Sequence, residues 1–266
     1  MLYGVCTSAS GPAPHLATVD FIEENVQGFL KPRDADQAGW SARLTAARLT
    51  GRPILAANCF LPGDLPCVGP QIDRPAIRAW ATVAFARAAE AGITRIVFGS
   101  GASRRIPEGF SRALARDQFV DLLRELGPLA AARGVLLVVE PLNRGECNFI
   151  NSVDEGAAIV RDADVAGVRL LADLYHMARD DEGPESILRA GELLQHVHVA
   201  ERDKRTAPGV AGDDFGPWLR ALAAVRYRGA ISIESGWSDL PTQVSGAISV
   251  LRKQVEAAFA VAAAKR

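Results

Sequence analysis

The sequence is poor in cysteine and histidine, carries almost no net charge and has no long apolar run. Among its 266 residues are four cysteines, Cys6, Cys59, Cys67 and Cys147, without C-x-x-C spacing. This pattern fits reduced thiols in a cytosolic protein and gives them no catalytic role. The balance of 30 basic against 31 acidic residues provides no global field that would attract nucleic acid. The N-terminus lacks a basic segment followed by an apolar stretch, so export is not predicted. No run approaches roughly 18 successive apolar residues, so membrane insertion is not predicted either. The expected location is the cytoplasm.

What the sequence does contain is a regular alternation of short Val/Ile/Leu-rich runs with longer segments of helical period. This alternation is typical of βα units around a parallel sheet. The predicted strands are Leu2–Cys6, Asp20–Asn25, Pro53–Cys59, Arg95–Phe98, Gly134–Glu140, Gly167–Asp173, His196–Val199 and Ala230–Glu234. The predicted helices are Trp40–Leu49, Arg74–Ala91, Arg112–Arg133, Val153–Arg161, Phe215–Val225 and Thr242–Ala263.

Eight strands and 266 residues match the size of one (β/α)8 barrel, which takes roughly 250 residues. We therefore predict an α/β fold in which residues 1–266 form a single TIM-barrel domain. Only the first unit is poorly marked, because Gly11–Val19 leaves room for no more than a turn or two of helix. The closing helix is suited to cladding the barrel or to a contact in a homo-oligomer.

Four polar residues stand where four successive strand-like runs end: Glu140, Asp173, His198 and Glu234. They follow one another at intervals of 33, 25 and 36 residues, each about one strand-helix unit of roughly 30 residues. The carboxyl ends of barrel strands converge on one face, so these side chains are expected to meet there. Each residue taken alone also fits an ordinary solvent-facing strand end, but the four together predict a metal site.

Three carboxylates and one imidazole form a donor set of intermediate hardness. This set favours Mn²⁺, then Mg²⁺, with Zn²⁺ or Co²⁺ as further candidates. Two glutamates on one ion suit proton removal next to a carbonyl through a metal-stabilised enediolate, with one glutamate taking the proton and the other returning it. If the proton leaves from one face of a carbon and returns to the opposite face, the configuration of that carbon is inverted. If the proton is transferred between neighbouring carbons, an aldose and a ketose are interconverted. The sequence leaves both outcomes open.

Other polar residues lie near the same predicted rim. His176 follows Asp173 by three residues, and Glu146 and Lys204 each follow a predicted ligand by six, so all three are candidates for contacting substrate hydroxyls. His196 is interpreted as a buried, hydrogen-bonded group rather than a ligand. The pair Arg104 and Arg105 is interpreted as solvated, or as neutralising a phosphate.

The motifs resemble those of the sugar phosphate isomerase/epimerase family of xylose isomerase-like TIM barrels, which includes ketose 3-epimerases and hydroxypyruvate isomerases. The matching segments are Val139-Glu140-Pro141-Leu142-Asn143-Arg144, Leu171-Ala172-Asp173-Leu174-Tyr175-His176-Met177, His196-Val197-His198-Val199-Ala200-Glu201 and Ile233-Glu234. The resemblance implies one bound ion on Glu140, Asp173, His198 and Glu234, a small carbohydrate substrate, and proton exchange by the two glutamates. It also implies that His176 and Glu146 contact the substrate.

One position departs from that family, in which an arginine follows the ligand histidine by six residues. This chain has Lys204 there, with Arg205 next to it, so a bidentate contact to substrate oxygens would be lost or shifted by one residue.

Two rival functions stay open. One is a barrel that binds a sugar without turnover, or that acts as a lyase or dehydratase. The other is a nuclease of the endonuclease IV type, which would require three zinc ions and more histidines than the four present.

Overall fold

A computed structural model describes residues 1–264 and places eight parallel strands in one closed barrel. The strands are β1 (Leu2–Cys6), β2 (Phe21–Asn25), β3 (Ile54–Asn58), β4 (Arg95–Phe98), β5 (Leu136–Val139), β6 (Val168–Asp173), β7 (Leu194–Val199) and β8 (Ala230–Ile233). They pair in chain order, and β1 closes the barrel on β8. The predicted TIM-barrel fold and all eight strands are confirmed, with bounds that differ by one or two residues.

Helices between the strands cover the outside of the barrel. They are α1 (Gln37–Arg48), α2 (Arg74–Ala91), α3 (Gly101–Arg104), α4 (Arg112–Ala131), α5 (Val153–Ala163), α6 (Leu174–Arg179), α7 (Glu185–Ala190), α8 (Gly216–Ala224) and α9 (Leu240–Ala264). Between β1 and β2 the chain makes only a 3₁₀ turn at Pro14–Thr18, as the abbreviated first unit predicted. The sequence did not predict α3, α6 and α7, because helices of four to six residues are too short to show a helical period.

Polar side chains determine where several of these helices begin. Asp36, Asp73, Ser111 and Ser152 each accept a hydrogen bond from a backbone N–H in the first turn of the helix that follows. Such caps satisfy otherwise unpaired donors and stabilise a helix by about 1 kcal/mol each. They direct the chain from the rim of the barrel back along its outer surface.

Strand interiors are apolar because the sheet is covered on both faces, by the helices outside and by the packed barrel interior. Val5, Ile96, Leu137 and Ile231, for example, are fully buried. The four candidate ligands lie at or just after the ends of their strands, beyond this apolar interior. Within residues 1–264, every helix is too short or too polar to cross a lipid bilayer.

Candidate active site and metal centre

The four predicted ligands come together at the carboxyl ends of β5 to β8. Each contributes one donor atom, and the four atoms lie within 4.8 Å of one another; the residues are Glu140, Asp173, His198 and Glu234. Register explains part of this convergence, because Asp173 on β6 is paired with His198 on β7, and His198 with Ser232 on β8. Glu140 and Glu234 each follow directly after their strand.

His198 lies at the centre of this cluster and is fully buried. Its Nδ1 is 3.0 Å from Oε1 of Glu140, 3.1 Å from Oε2 of Glu234 and 4.0 Å from Oδ2 of Asp173. Burial lowers the pKa of an imidazole, but the surrounding carboxylates outweigh that effect and raise the pKa of His198 well above its ordinary value. One ring nitrogen therefore faces three carboxylates.

Asp173 has a structural task as well as a position in the cluster. Its Oδ1 caps α6 by accepting hydrogen bonds from the backbone N–H groups of Tyr175, at 2.7 Å, and His176, at 3.3 Å. Its Oδ2 is the oxygen that faces the other acids. Burial alone would raise the pKa of Asp173, but nearby His176 and Arg205, together with His198, lower it.

The two glutamates are held differently. Glu140 is 5% exposed, and burial raises its pKa. A Cβ atom at Gly99 would collide with Oε2 of Glu140, so only glycine leaves room for that carboxylate. Glu234 is more open, and its Oε1 accepts a hydrogen bond of 3.0 Å from the side-chain amide of Asn58.

These donors fit a single divalent cation. Two ligands bonded to one ion at roughly 2.0–2.2 Å are at most about 4.4 Å apart, and the four donor atoms all lie within 4.8 Å of one another. Oxygen donors dominate, as Mn²⁺ or Mg²⁺ prefers, and the single imidazole also suits Mn²⁺. Small side-chain movements would be enough to bring all four donors onto one ion.

A sequence profile of the xylose isomerase-like TIM barrel matches residues 16–254. The chain belongs to the xylose isomerase-like TIM barrel family. Its relatives include an L-ribulose 3-epimerase of Methylomonas sp. (strain DH-1), 33% identical over 47% of this chain and 44% of that protein. Another is a 3-dehydro-D-guloside 4-epimerase of Escherichia coli (strain K12), 32% identical over 45% of each chain. The matched segments thus span under half the length of these curated relatives.

A solved D-psicose 3-epimerase shares the same barrel. It superposes with a TM-score of 0.76 at 22% identity, covering 100% of this chain and 98% of the other. At 22% identity this structural similarity is evidence for the fold of the chain and not for its activity.

Two further predicted site residues of this xylose isomerase-like barrel, His176 and Glu146, line one cavity together with Glu140 and Glu234. The cavity has a volume of about 260 Å³. Nδ1 of His176 lies 2.7 Å from the side-chain nitrogen of Asn143, which also donates to Glu146 at 3.0 Å. Because Asn143 donates to Nδ1, the ring proton is assigned to Nε2. That Nε2 is buried without a hydrogen-bond partner in the described part of the chain, so it can donate to a substrate oxygen.

The structure separates Lys204 from Arg205. Lys204 is exposed and does not line the cavity, whereas Arg205 does. The Arg205 guanidinium lies 2.5 Å from Oε2 of Glu234 and 3.4 Å from Oδ2 of Asp173, and it stacks over Tyr175 at 4.6 Å. Arg205 thus takes the cavity-facing position that the sequence analysis gave to Lys204, a shift of one residue along the loop after β7.

Arg104 is neither solvated nor free to bind a phosphate, contrary to the sequence-based interpretation. Its side chain is fully buried. One guanidinium nitrogen donates to the carbonyl oxygen of Glu140 at 2.6 Å and to that of Phe98 at 3.1 Å. Arg104 therefore ties together the ends of β4 and β5. This was not predicted because an arginine at the rim of a barrel is usually exposed.

Neither cysteine beside the cluster is activated. Burial and the nearby carboxylates raise the pKa of the Cys59 thiol to about 12 and that of Cys6 well above its ordinary value. Both thiols therefore stay protonated at neutral pH.

Sequence reasoning missed Glu23 on β2, which lies beneath the cluster and is 1% exposed. It contacts both histidines of β7. A signal was present, because Glu23 directly follows Phe21 and Ile22 in a strand of the barrel, where a charged side chain must find buried partners. The partners themselves lie more than 170 residues away in the chain and could not be read from a local pattern.

The loop that carries Arg205 folds around a second buried carboxylate, Glu201. This side chain accepts hydrogen bonds from the backbone N–H groups of Gly209, at 2.7 Å, and Gly212, at 2.9 Å, and from the hydroxyl of Thr206 at 2.9 Å. Burial opposes ionisation, but these donors outweigh it and hold the pKa of Glu201 below its ordinary value.

We expect Glu201→Gln to destabilise the protein by about 1–3 kcal/mol at neutral pH, because the amide cannot accept all of these bonds. The pKa of Glu201 is lower in the folded protein than its ordinary value of 4.5. Ionised Glu201 therefore contributes fully to the free energy of unfolding above about pH 4.5, and this contribution is lost as the pH falls through the lowered pKa. Urea unfolding of both proteins between pH 7 and pH 3.5 measures this difference. A gap in unfolding free energy that widens on acidification would contradict the assignment.

Proposed function

We propose that this protein is a divalent-metal-dependent epimerase or isomerase of a small sugar, a sugar phosphate or a related hydroxy-carbonyl compound. The observation that carries the proposal is the pair Glu140 and Glu234, whose carboxylates both lie about 3 Å from Nδ1 of one buried histidine. The similarity to an L-ribulose 3-epimerase and a 3-dehydro-D-guloside 4-epimerase supports the same chemistry. A protein that only binds sugar has no need of two such bases.

Glu140, Asp173, His198 and Glu234 would hold the ion, with Mn²⁺ as the preferred metal. When bound, a divalent ion would polarise the carbonyl and hydroxyl oxygens of the substrate and favour loss of the proton between them. The chain's residues then have separate tasks, set by the positions that the structure gives them.

Glu140 and Glu234 would move the proton. They enter the cavity from β5 and β8, which lie three strands apart around the barrel, so each can approach the substrate from its own side. Burial raises the pKa of Glu140, bringing that carboxyl closer to the range in which it can both hold and release a proton. A carbon that loses its proton to one glutamate and regains it from the other is inverted.

His176, Glu146 and Arg205 would hold the substrate hydroxyls. His176 offers a buried Nε2–H, and Arg205 offers a planar set of donors at the cavity wall. Beside this cavity lies a second one of about 480 Å³, which shares Asn58 and reaches Cys6 and Glu23. Its volume leaves room for the part of a substrate beyond the reacting carbons, as in a ketose of five or six carbons or a keto-glycoside.

The test is exchange of substrate protons with solvent. The Mn²⁺-loaded protein is incubated in D₂O with ketopentoses, ketohexoses, their phosphates, a 3-keto-glucoside and hydroxypyruvate, and each recovered compound is analysed by mass spectrometry. We expect deuterium next to the carbonyl of at least one compound, no exchange after chelation of the metal, and recovery when Mn²⁺ is restored.

Each rival predicts a different result. No exchange with any compound would overturn the proposal and favour a binding protein, whereas loss of water from the substrate would indicate a dehydratase. Elemental analysis separates the nuclease alternative, which requires three zinc ions per chain instead of one. A cytoplasmic location and a homo-oligomeric state stay predictions.

A further inference from the structure

The buried carboxylate of Glu23 is bound by three side-chain donors from the far side of the barrel. Its Oε1 lies 2.9 Å from Nε2 of His198, and its Oε2 lies 2.7 Å from Nε2 of His196 and 2.6 Å from Oγ of Ser232. Glu23, His196 and His198 are each at most 1% exposed. These three side chains therefore present almost none of their surface to solvent.

The contacts of the Glu23 carboxylate are those of a hydrogen-bond acceptor. Its Oε1 meets one imidazole nitrogen, and its Oε2 meets a second imidazole nitrogen and a hydroxyl. A carboxylate only accepts hydrogen bonds, so each nitrogen that faces it must carry a proton. Nε2 of His198 therefore carries a proton. In the absence of an ion Nδ1, which lies 3.0 Å from Glu140, carries one as well, and the ring becomes neutral when Nδ1 gives up that proton to bind an ion.

The consequence concerns the other nitrogen of the same ring. When Nε2 of a neutral imidazole carries the proton, Nδ1 has the free lone pair. In His198, Nδ1 is the atom that faces Glu140, Asp173 and Glu234. Glu23 thus selects the tautomer, and the ring orientation, that point a donor lone pair at the centre of the acidic cluster.

We propose that Glu23 is a positioning residue that holds His198 in its metal-binding tautomer, with His196 holding the second oxygen of the carboxylate. The inference rests on the metal site of the proposed function and extends it to a residue outside the ligand set. Partners of this kind, which bond the far nitrogen of a ligating histidine, commonly change metal affinity by about 10–100-fold.

A different interpretation would make Glu23 a ligand itself. Cys6, Glu23 and His198 also lie close enough for one ion. In that arrangement Nε2 of His198 would have to lose its proton and its bond to Glu23, and the Cys6 thiol would have to lose its proton as well. The hydrogen bonds observed favour the positioning role.

The test compares Glu23→Gln with Ser232→Ala. The amide of glutamine cannot accept from both histidines, and its NH₂ group facing Nε2 of His198 would move the ring proton to Nδ1. Ser232→Ala removes one bond to the same carboxylate but leaves the 2.9 Å contact with His198 intact. We measure the dissociation constant for Mn²⁺ by calorimetry and the protonated ring nitrogen of His198 by ¹⁵N NMR of the Mg²⁺-loaded proteins.

We expect Glu23→Gln to weaken Mn²⁺ binding by about 10–100-fold and to shift the proton to Nδ1, while Ser232→Ala stays within about threefold of the wild type. Glu23→Asp, which keeps the charge but shortens the side chain, should give an intermediate loss and carries the test if Glu23→Gln does not fold.

Three results would overturn the inference. Equal Mn²⁺ affinity in the wild type and Glu23→Gln, with only a lower unfolding temperature, would leave Glu23 a purely structural role. Two ions per wild-type chain and one in the variant would make it a ligand. If the wild type does not bind Mn²⁺, there is no metal site, and the proposed function is wrong as well. The first two results would contradict only the role of Glu23 and would not affect the proposed function.

Discussion

Glu234→Gln is expected to slow deuterium exchange at the substrate carbon by at least about 10²–10⁴-fold, the range contributed by a positioned acid or base. Glutamine has the same shape but cannot take up a proton. It also meets a conflict, because both oxygens of Glu234 accept hydrogen bonds, Oε1 from Asn58 and Oε2 from Arg205. The NH₂ group of glutamine would face one of these two donors, and the side chain would move away from it. We therefore expect weaker metal binding together with the loss of exchange.

The measurement is the initial rate of deuterium incorporation at saturating Mn²⁺, which separates proton transfer from metal loss. Glu146→Gln is the matched control, since Glu146 lies in the same cavity but outside the ligand set. This control should bind Mn²⁺ normally and show mainly a higher KM. Full exchange by Glu234→Gln would refute the role of Glu234 as a base.

Arg205→Ala is expected to lower kcat/KM by about 10²-fold, comparable with the loss caused by misplacing a substrate in a site. Arg205 is the cation that contacts both Asp173 and Glu234, and one of its nitrogens lies 3.7 Å from Glu146. Its removal takes away the planar donors at the cavity wall and leaves these carboxylates to repel one another. Arg205→Lys should recover only part of the activity, because an ammonium group cannot reproduce the bidentate geometry.

Lys204→Ala is the control for this experiment and also decides between two assignments. Lys204 is exposed, so its removal should change kcat/KM by less than about twofold. Steady-state kinetics on the substrate identified by proton exchange provide the comparison. If Lys204→Ala were impaired and Arg205→Ala were not, the assignment made from the sequence would hold and the position of Arg205 in the cavity would have no catalytic meaning.

The strands and the ligand cluster were predictable for a common reason. Each signal is local: a run of apolar residues covered on both faces, followed by one polar residue where the strand ends. Once the chain is interpreted as a barrel, topology brings Glu140, Asp173, His198 and Glu234 to one rim without knowledge of any contact. Whether they bind a metal there stays a proposal.

The short helices and the position of Arg205 could not be obtained in this way. α6 begins where it does because Asp173 caps it, and six residues contain less than two turns of periodic pattern. Arg205 faces the cavity and Lys204 does not because the loop wraps around Glu201, with both residues at positive φ. Loop conformations of this kind depend on hydrogen bonds to a single buried side chain, which residue spacing does not reveal.

The barrel and the four residues that meet at its rim follow from local sequence patterns, because hydrophobic periodicity and strand ends are properties of neighbouring residues. The groups that surround those four residues are known only from the folded chain: Glu23 contacts His198, Arg104 contacts Glu140, and Arg205 lines the cavity in place of Lys204. Those contacts join residues between 29 and 175 positions apart. They exist because burial forces each charged group to find a partner, and closure of the barrel determines which partners are within reach.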